Sequence, residues 1–208
     1  MLAVLITNSK GGCGKTTIAT NIASAFAAGG KRTAVADADS QRSCLAWLQR
    51  RPETAPAIRG LDWVEAIGSV PKKTERLIID SSASLDIGLA KDLVRMADVI
   101  VVPVLPSFFD QDSTAQYLAK LETLKKIRKN KRAVCVVRNR VRRRTRAASH
   151  LDRFMIGVSH SDAGSLPDRT IYNELALSGL GIFDVHRAGI DALRQEWSQL
   201  LQLLEQEA

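Results

Sequence analysis

The chain has 208 residues and a net charge of +8, and it is 45% hydrophobic and 25% charged, which is typical of a soluble globular protein with a full core. No apolar run approaches the roughly 20 residues of a membrane span, and the apolar start lacks the basic segment of a signal peptide. The three cysteines are far apart and form no CxxC pair, which indicates reduced thiols in a cytosolic protein and excludes a disulfide framework or a cysteine metal site.

Strand and helix signals alternate along the whole chain. Apolar runs predict strands at Leu2–Thr7, Arg32–Ala36, Arg76–Ile79, Val99–Leu105 and Ala133–Val137, with an edge strand at Leu61–Ile67. Helical periodicity predicts helices at Thr16–Ala28, Gln41–Arg51, Leu85–Met96, Gln111–Lys129, Arg144–Phe154 and Arg169–Leu177, and a last helix from Ile190 to Glu205. This alternation predicts an α/β fold with a doubly wound, mainly parallel sheet, in a single domain over residues 1–208.

A glycine-rich loop joins the first predicted strand to the first helix, which is the setting that a phosphate-binding loop needs. Its glycines let the backbone curl so that several N–H groups point at phosphate oxygens, and the helix adds its positive dipole end. Lys15 is placed to reach the β- and γ-phosphates, and Thr16 offers a hydroxyl to Mg²⁺. For Cys13, a small residue that fits the loop is the simpler interpretation, and a redox switch is the alternative. The predicted nucleotide-binding residues of the loop are Gly11, Gly12, Cys13, Gly14, Lys15, Thr16 and Thr17.

Polar side chains end three further predicted strands, at the edge where parallel sheets bind ligands. Asp37 and Asp39 follow the second strand, and Asp80 ends an apolar run as in a Walker B segment, where it would hold Mg²⁺ through its water shell. Asn139 follows the strand Ala133–Val137, a place suited to an amide that contacts a nucleobase edge. Two alternatives stay open, namely Asp37 as a strand-end cap or turn former and Asn139 as a turn residue.

These motifs together resemble the ParA/MinD family of deviant Walker A ATPases, a group of P-loop NTPases, over nearly the whole chain. The segment KGGCGKTT, Lys10 to Thr17, matches the family pattern K-G-G-x-G-K-[ST]-T at every fixed position. DADSQ, IIDSSAS and VVRNRV resemble the family's D-x-D-P-Q, Walker B and base-binding segments, although Ser40 replaces one proline and both prolines of the Walker B segment are lost. Leu166-Pro-Asp-Arg169 through Leu180 resembles the late LPxR segment. The short length and the early loop resemble the small ParA subgroup, which lacks an N-terminal helix-turn-helix.

The resemblance implies that ATP and Mg²⁺ are held between the two subunits of a homodimer. Lys10 would then cross the interface to the partner's nucleotide and neutralise phosphate charge. The alternative interpretation of Lys10 is an ordinary solvated lysine. Asp39 would orient the attacking water, and Asp37 would support Mg²⁺ or the switch segment. The predicted metal residues are therefore Thr16, Asp37 and Asp80, and the predicted catalytic residues are Lys10, Lys15 and Asp39.

The positive charge of the chain is concentrated in one segment. Residues 120–146 contain thirteen lysines and arginines and one acid, Glu122, a local charge of +12, so the remainder is net negative. Such a run suits sequence-independent contacts to the phosphates of duplex DNA, and no recognition helix is evident. Two simpler interpretations are a solvated helix face and, for some arginines, the rim of the nucleotide pocket. The candidate DNA-binding residues are Lys125, Lys126, Lys129, Arg142, Arg143, Arg144 and Arg146.

These predictions favour an ATPase that partitions or positions a plasmid, a chromosome region or a protein assembly. ATP would drive dimerisation and non-specific DNA binding, and a ParB-like protein or adaptor would stimulate hydrolysis and release the dimer. The protein would be cytoplasmic, and nucleoid-associated when it carries ATP. A MinD-like regulator is disfavoured because the acidic tail of the last helix is repelled by anionic lipids, so membrane attachment is not expected. A metabolic or metal-delivery ATPase is a further alternative, but iron–sulfur carriers need cysteine thiolates at a dimer interface.

Overall fold

The computed structural model describes residues 1–83, 87–124, 127 and 132–208. Within these ranges seven strands form one sheet in the order β3-β2-β4-β1-β5-β6-β7, and every neighbouring pair is parallel. The parallel sheet confirms the predicted fold class. The strands are β1 (Leu2–Ile6), β2 (Thr33–Ala38), β3 (Ile58–Asp62), β4 (Arg76–Ser81), β5 (Val99–Val104), β6 (Ala133–Val141) and β7 (Ser161–Pro167).

Helices cover both faces of the sheet and divide the apolar core in two. One core holds Ile18 of the first helix with Trp197 and Leu200 from the end of the chain, and the other holds Leu118 and Leu151. Among the described residues, no helix is long and apolar enough to cross a membrane. The helices are α1 (Lys15–Ala28), α2 (Ser43–Gln49), α3 (Ile87–Met96), α4 (Phe108–Glu122), α5 (Arg146–Ile156), α6 (Ile171–Ala176), α7 (Ile190–Gln195) and α8 (Ser198–Gln206).

The register of the central strands gathers the predicted polar residues at one edge of the sheet. Asp37 at the end of β2 pairs with Asp80 at the end of β4, and Ile6 at the end of β1 pairs with Asp80 as well. The glycine-rich loop leaves β1 at this same edge. Because β1, β2 and β5 are buried along their whole length, these ends are held on a rigid support.

Several predicted boundaries were wrong at the edges of the sheet. The edge strand is Ile58–Asp62 and not Leu61–Ile67, because residues 58–62 pair with β2 in register and Trp63 then turns into the core. Strand β6 continues to Val141, so Asn139 lies within the strand and not after it. Strand β7 was not predicted at all.

Two helices also differ from the sequence prediction. Helix α4 begins at Phe108, where the Ser107 hydroxyl accepts a hydrogen bond from the backbone N–H of Asp110. The predicted continuation to Lys129 includes residues 125, 126 and 128–129, which lie outside the described residues, as do residues 85–86 of the helix predicted from Leu85. The last predicted helix is two helices, because the chain turns at residues 196–197 around the buried indole of Trp197. Its apolar side packs in the core.

Candidate functional site

The loop between β1 and α1 has the backbone shape that its glycines allow. Gly12 (φ 74°) and Gly14 (φ 92°) lie in the left-handed region, which is unfavourable for residues with a Cβ. Gly14 is the N-cap of α1, and no side chain caps this helix end. The first N–H groups of α1 therefore stay available to an anion, as the loop motif predicts.

Asn139 supports this loop from the neighbouring part of the sheet. Its side chain is 5% exposed, and its amide nitrogen donates a hydrogen bond to the carbonyl of Cys13 at 2.7 Å. A Cβ added at Gly14 would overlap the same amide group. Asn139 thus fixes the loop conformation, and its predicted contact with a nucleobase stays a prediction.

Replacing Gly14 with alanine is expected to lower the free energy of unfolding by about 1–3 kcal/mol, since the change combines a left-handed backbone with the overlap at Asn139. Gly11→Ala is the matched control, because a Cβ there has nothing within 4 Å and its φ is not left-handed. Urea denaturation of the two variants measures the difference. Equal stabilities would contradict the packing of Asn139 under Gly14.

The two lysines of the loop have different surroundings. Lys15 is 7% exposed, and its Nζ donates to the carbonyl of Lys10 at 3.0 Å and to that of Asn8 at 3.4 Å. Lys10 is only partly buried, and its ammonium has no hydrogen-bond or ion-pair partner in the described part of the chain. Lys15 is therefore held inside the loop by two carbonyl oxygens and the sulfur of Cys13, whereas Lys10 is available to a group outside it.

The thiol of Cys13 is buried within the loop. Its Sγ donates to the carbonyl of Lys10 at 3.2 Å, and burial raises the pKa of the thiol although the nearby Lys15 ammonium opposes this. A protonated, buried thiol is poorly suited to redox chemistry. The environment therefore favours the simpler interpretation of Cys13 as a small residue that fits the loop.

Thr16 and Asp80 form the part of the site that fits Mg²⁺. The Thr16 hydroxyl donates to Asp80 Oδ2 at 2.7 Å, while Asp80 Oδ1 is buried with no hydrogen-bond partner among the described residues. Burial raises the pKa of Asp80 to about 7, although hydrogen bonds from Thr16 and Cys44 oppose the shift. A hydroxyl and a carboxylate with an unused oxygen are donors that Mg²⁺ prefers, so these two residues would hold it. When bound, Mg²⁺ neutralises phosphate charge.

Asp80→Asn is expected to stabilise the protein without metal or nucleotide, by up to about 4 kcal/mol at pH 8 and by about 1–2 kcal/mol at pH 5. The folded-state pKa of Asp80, about 7, lies above its unfolded value. The contribution of Asp80 to the free energy of unfolding is therefore most favourable below about pH 4, and it decreases as the pH rises toward 7. Thermal unfolding at the two pH values, in EDTA, checks this. An equal gain at both pH values would exclude titration of Asp80 in this range.

Asp37 and Asp39 act at different depths of the site. Asp37 is fully buried, and its two carboxylate oxygens accept the backbone N–H groups of Asp39 at 3.1 Å and Leu45 at 3.0 Å. Burial raises its pKa, with the backbone hydrogen bonds opposing. Asp39 is partly exposed, and its Oδ1 accepts the N–H of Gln41 at 3.0 Å. Asp37 thus holds the segment that carries Asp39. It acts as a turn former, which was the alternative interpretation of this residue. Its metal role stays a prediction.

A cleft of about 350 Å³ is lined by the loop, by residues 39–41 after β2 and by residues 82–83 after β4. Among the predicted site residues it is lined by Gly11, Gly12, Gly14, Lys15, Thr16, Thr17 and Asp39. Ser82 and Arg140 line it as well, and neither was predicted as a site residue. A larger cavity of about 740 Å³ lies between α4, β6 and the start of β7, at the amino ends of the strands. Parallel sheets bind ligands at the opposite edge, so the smaller cleft is the functional candidate.

The arginines after β6 fall into two groups. Arg142 pairs with Asp168 at 2.8 Å, and Arg143 contacts Glu196 at 3.4 Å. Arg144 and Arg146 are exposed and have no acidic partner among the described residues. Arg144 and Arg146 are thus the two predicted DNA-binding arginines whose charge is unpaired among the described residues. Three further candidates lie outside the described residues, namely Lys125, Lys126 and Lys129.

Two further residues of the site were missed from the sequence. Asn8 is buried, and its amide nitrogen donates to the Pro103 carbonyl at 2.8 Å and to the Thr114 hydroxyl at 3.0 Å, which ties the loop to β5 and α4. Its position as a polar residue between a buried strand and the loop was the available signal. The buried thiol of Cys44 donates to Asp80 Oδ2 at 3.3 Å, and nothing in the sequence pattern indicates this contact.

An uncapped helix end behind a glycine loop, with a buried lysine, a threonine and an unsatisfied carboxylate, defines a P-loop nucleotide-binding site. Residues 4–182 match the family model described as the CobQ/CobB/MinD/ParA nucleotide binding domain. The chain belongs to this family, and the predicted resemblance to its ParA/MinD members is confirmed.

Two curated proteins illustrate the similarity in sequence. Maintenance of carboxysome distribution protein A of Halothiobacillus neapolitanus is 28% identical over 205 residues, which cover 94% of this chain and 93% of that protein. Chromosome partitioning protein ParA of Caulobacter vibrioides is 28% identical over 166 residues, which cover 58% of this chain and 62% of that protein.

Solved structures show the same fold over the whole chain. The MinD cell division protein of Aquifex aeolicus superposes with a TM-score of 0.75 at 18% identity, covering 100% of this chain and 98% of that one. A plasmid partition protein of Borrelia burgdorferi bound to AMPPNP gives 0.74 at 14% identity, covering 100% and 99%. The Cyanothece McdA(D38A)–ATP complex gives 0.67 at 15% identity, covering 100% and 96%. At these identities the likeness concerns the fold.

Proposed function

We propose that this protein is an ATPase that positions a cargo by ATP-dependent dimerisation and non-specific DNA binding. The observation that carries the proposal is the different setting of the two loop lysines. Lys15 is held inside its own loop, where it would bind the nucleotide of its own subunit, and the partly buried Lys10 has no hydrogen-bond or ion-pair partner among the described residues. An unpaired lysine in this loop supports a second subunit whose nucleotide would take its charge, and hydrolysis stimulated by a ParB-like or adaptor protein would end the dimer.

An exposed aromatic pair supports a subunit interface on this side of the molecule. Phe108 and Phe109 are 74% and 75% exposed, and their rings lie 5.6 Å apart. They begin α4, and Thr114 of that helix contacts Asn8 directly before the loop. Exposed apolar groups of this kind mark interaction surfaces, and a second copy of this chain across the nucleotide would cover them.

The extent of the sequence similarity favours a protein assembly as the cargo. The match with the carboxysome distribution protein spans 94% of this chain, whereas that with the chromosome partitioning protein spans 58%. We therefore propose a carboxysome or a similar protein assembly as the cargo, with a plasmid or a chromosome region as the alternatives. The metal-delivery alternative is weak because all three cysteines are buried, so their thiols are not available at a subunit interface.

Substituting Arg144 and Arg146 with alanine is expected to weaken DNA binding of the ATP-loaded protein and to reduce the slope of log affinity against log salt by about 2, because each phosphate contact contributes about 0.9. Lys31→Ala with Lys72→Ala is the matched control, since it removes the same charge at the amino ends of the strands. Fluorescence anisotropy with duplex DNA at several salt concentrations measures both slopes. Equal slopes for the two pairs would contradict a DNA role for these arginines.

One experiment tests the whole proposal. Retention of the protein on immobilised random-sequence DNA is measured with ATP, with ADP and without nucleotide, next to a liposome arm of anionic lipids. ATP-dependent retention on DNA at low salt is expected, with release on hydrolysis. Binding to liposomes in place of DNA would favour the MinD-like alternative, and ATP turnover with neither surface would favour a metabolic enzyme.

A further inference from the structure

Arg140 is placed by the structure on the wall of the nucleotide cleft. It follows Asn139 in β6 and lines the cleft together with Gly12 and Lys15. We infer that Arg140 contacts the nucleotide through its guanidinium, at the β- or γ-phosphate. The inference rests on the nucleotide binding of the proposed function, and it adds a cation to those that the loop motif supplies.

The backbone of β6 is bent at this residue. Neighbouring side chains of a regular strand point to opposite faces of the sheet. Arg138 pairs with Ser165 and Val141 with Pro167, so β6 contains one more residue than β7 between these pairs, which is a β-bulge. Arg140 itself has φ 53°, a left-handed conformation that few residues other than glycine adopt.

The bulge allows two consecutive residues to face the same site. Asn139 donates to the Cys13 carbonyl in the loop, and Arg140 lines the cleft over the same loop. Bulges next to active sites re-aim side chains in this way, and strained backbone at such a place is a common mark of function. The bend in β6 therefore turns Arg140 toward the site.

The charge of Arg140 is unpaired within the described part of the chain. Arg138 is held between Asp152 at 2.7 Å and Asp162 at 2.9 Å, and Arg142 and Arg143 each have an acidic partner. Arg140 makes no ion pair or hydrogen bond with any residue that the structure describes. A free guanidinium beside loop N–H groups presents the fork of donors that binds phosphate oxygens.

The phosphates are favoured over the base because of the other residues on the cleft wall. Lys15 and the loop glycines belong to the part of the motif that holds the β- and γ-phosphates, and Asp39 and Ser82 line the cleft from the ends of β2 and β4. Arg140 is exposed and shares this cleft. The loss on its removal should therefore grow with the number of phosphates in the ligand.

Calorimetric titration of the DNA-free protein with Mg-ATP, Mg-ADP and AMP tests this. Arg140→Ala should bind Mg-ATP about tenfold more weakly than the wild type and AMP nearly as well, as expected for one charge-assisted hydrogen bond. The loss for Mg-ADP should equal that for Mg-ATP if the contact is at the β-phosphate, and it should be absent if the contact is at the γ-phosphate. Arg140→Lys should recover part of the affinity. Thermal unfolding of each variant confirms that it is folded.

Backbone effects are separated by two glycine variants. Glycine adopts the left-handed conformation of residue 140 readily, and alanine does not. Equal losses of Mg-ATP affinity in Arg140→Gly and Arg140→Ala would therefore assign the effect to the missing guanidinium. Arg42→Gly is the matched control, because Arg42 also has a positive φ, 49°, but does not line the cleft, and its nucleotide affinity should equal that of the wild type.

Four outcomes would overturn the inference. Wild-type affinity for Mg-ATP in Arg140→Ala would remove Arg140 from the site and leave the proposed function standing. An equal loss for AMP would move the contact to the base, the ribose or the α-phosphate. A loss confined to DNA retention would make Arg140 a DNA contact. Absence of Mg-ATP binding by the wild type would contradict the proposed function itself.

Discussion

Lys15→Gln is expected to weaken Mg-ATP binding by about 100-fold or more. The side chain is buried in the loop and its ammonium is held by two carbonyl groups, with no carboxylate partner among the described residues. Its charge is therefore available to the phosphates, and the loss of charge-assisted hydrogen bonds worth about 3 kcal/mol corresponds to this factor. Calorimetric titration with Mg-ATP measures it.

The stability of the same variant provides its control. Glutamine is close in length to lysine and removes a buried charge, so the free energy of unfolding should stay within about 1 kcal/mol of the wild type or rise. A variant that binds weakly and is also strongly destabilised would indicate a collapsed loop. Binding within a factor of about three of the wild type would show that the phosphates do not reach Lys15.

Lys10→Gln is the informative comparison at the other end of the loop. Lys10 is only partly buried, and its ammonium has no hydrogen-bond or ion-pair partner among the described residues, so nucleotide binding to the monomer should be kept. Dimer formation with ATP, followed by analytical ultracentrifugation, should be lost. The pair of variants thus separates binding from assembly. Loss of ATP affinity in both would instead place Lys10 in the site of its own subunit.

The central part of the fold and the core of the site were predictable because local and global signals agree there. The apolar run of β1, the loop glycines and the helix after them form one continuous pattern, and Asp37 and Asp80 end strands that lie side by side. The carboxyl ends of parallel strands share one edge of the sheet. The gathering of these carboxylates beside the loop therefore follows from the sequence alone.

The parts that the sequence did not reveal depend on tertiary contacts. Strand β7 reads SDAGSLP, which contains no β-branched or aromatic residue, and it exists because it pairs with β6 and packs against the end of the chain. The bulge at Arg140 needs the register of both strands, which no single segment encodes. The ion pairs of Arg138 and Arg142 join residues far apart in the chain, so the count of basic residues overstated the free positive charge.

Asp39→Ala is expected to lower ATP turnover by about 100-fold while Mg-ATP binding stays close to that of the wild type. Asp39 is the partly exposed carboxylate of the cleft, and its segment is fixed because Asp37 accepts its backbone N–H. A carboxylate held in this way can orient the attacking water, and groups of this kind contribute roughly 10²–10⁴ to a rate. Single-turnover hydrolysis measures the chemical step without product release.

Asp39→Asn distinguishes the charge from the local geometry. Asparagine keeps an oxygen that can accept the N–H of Gln41, so the turn made by Asp39 Oδ1 at 3.0 Å is preserved. If the carboxylate acts on water, both variants should be slow, and both should remain on DNA with ATP for longer than the wild type. A fast Asp39→Asn and a slow Asp39→Ala would assign the effect to the turn. Unchanged turnover in both would remove Asp39 from the reaction.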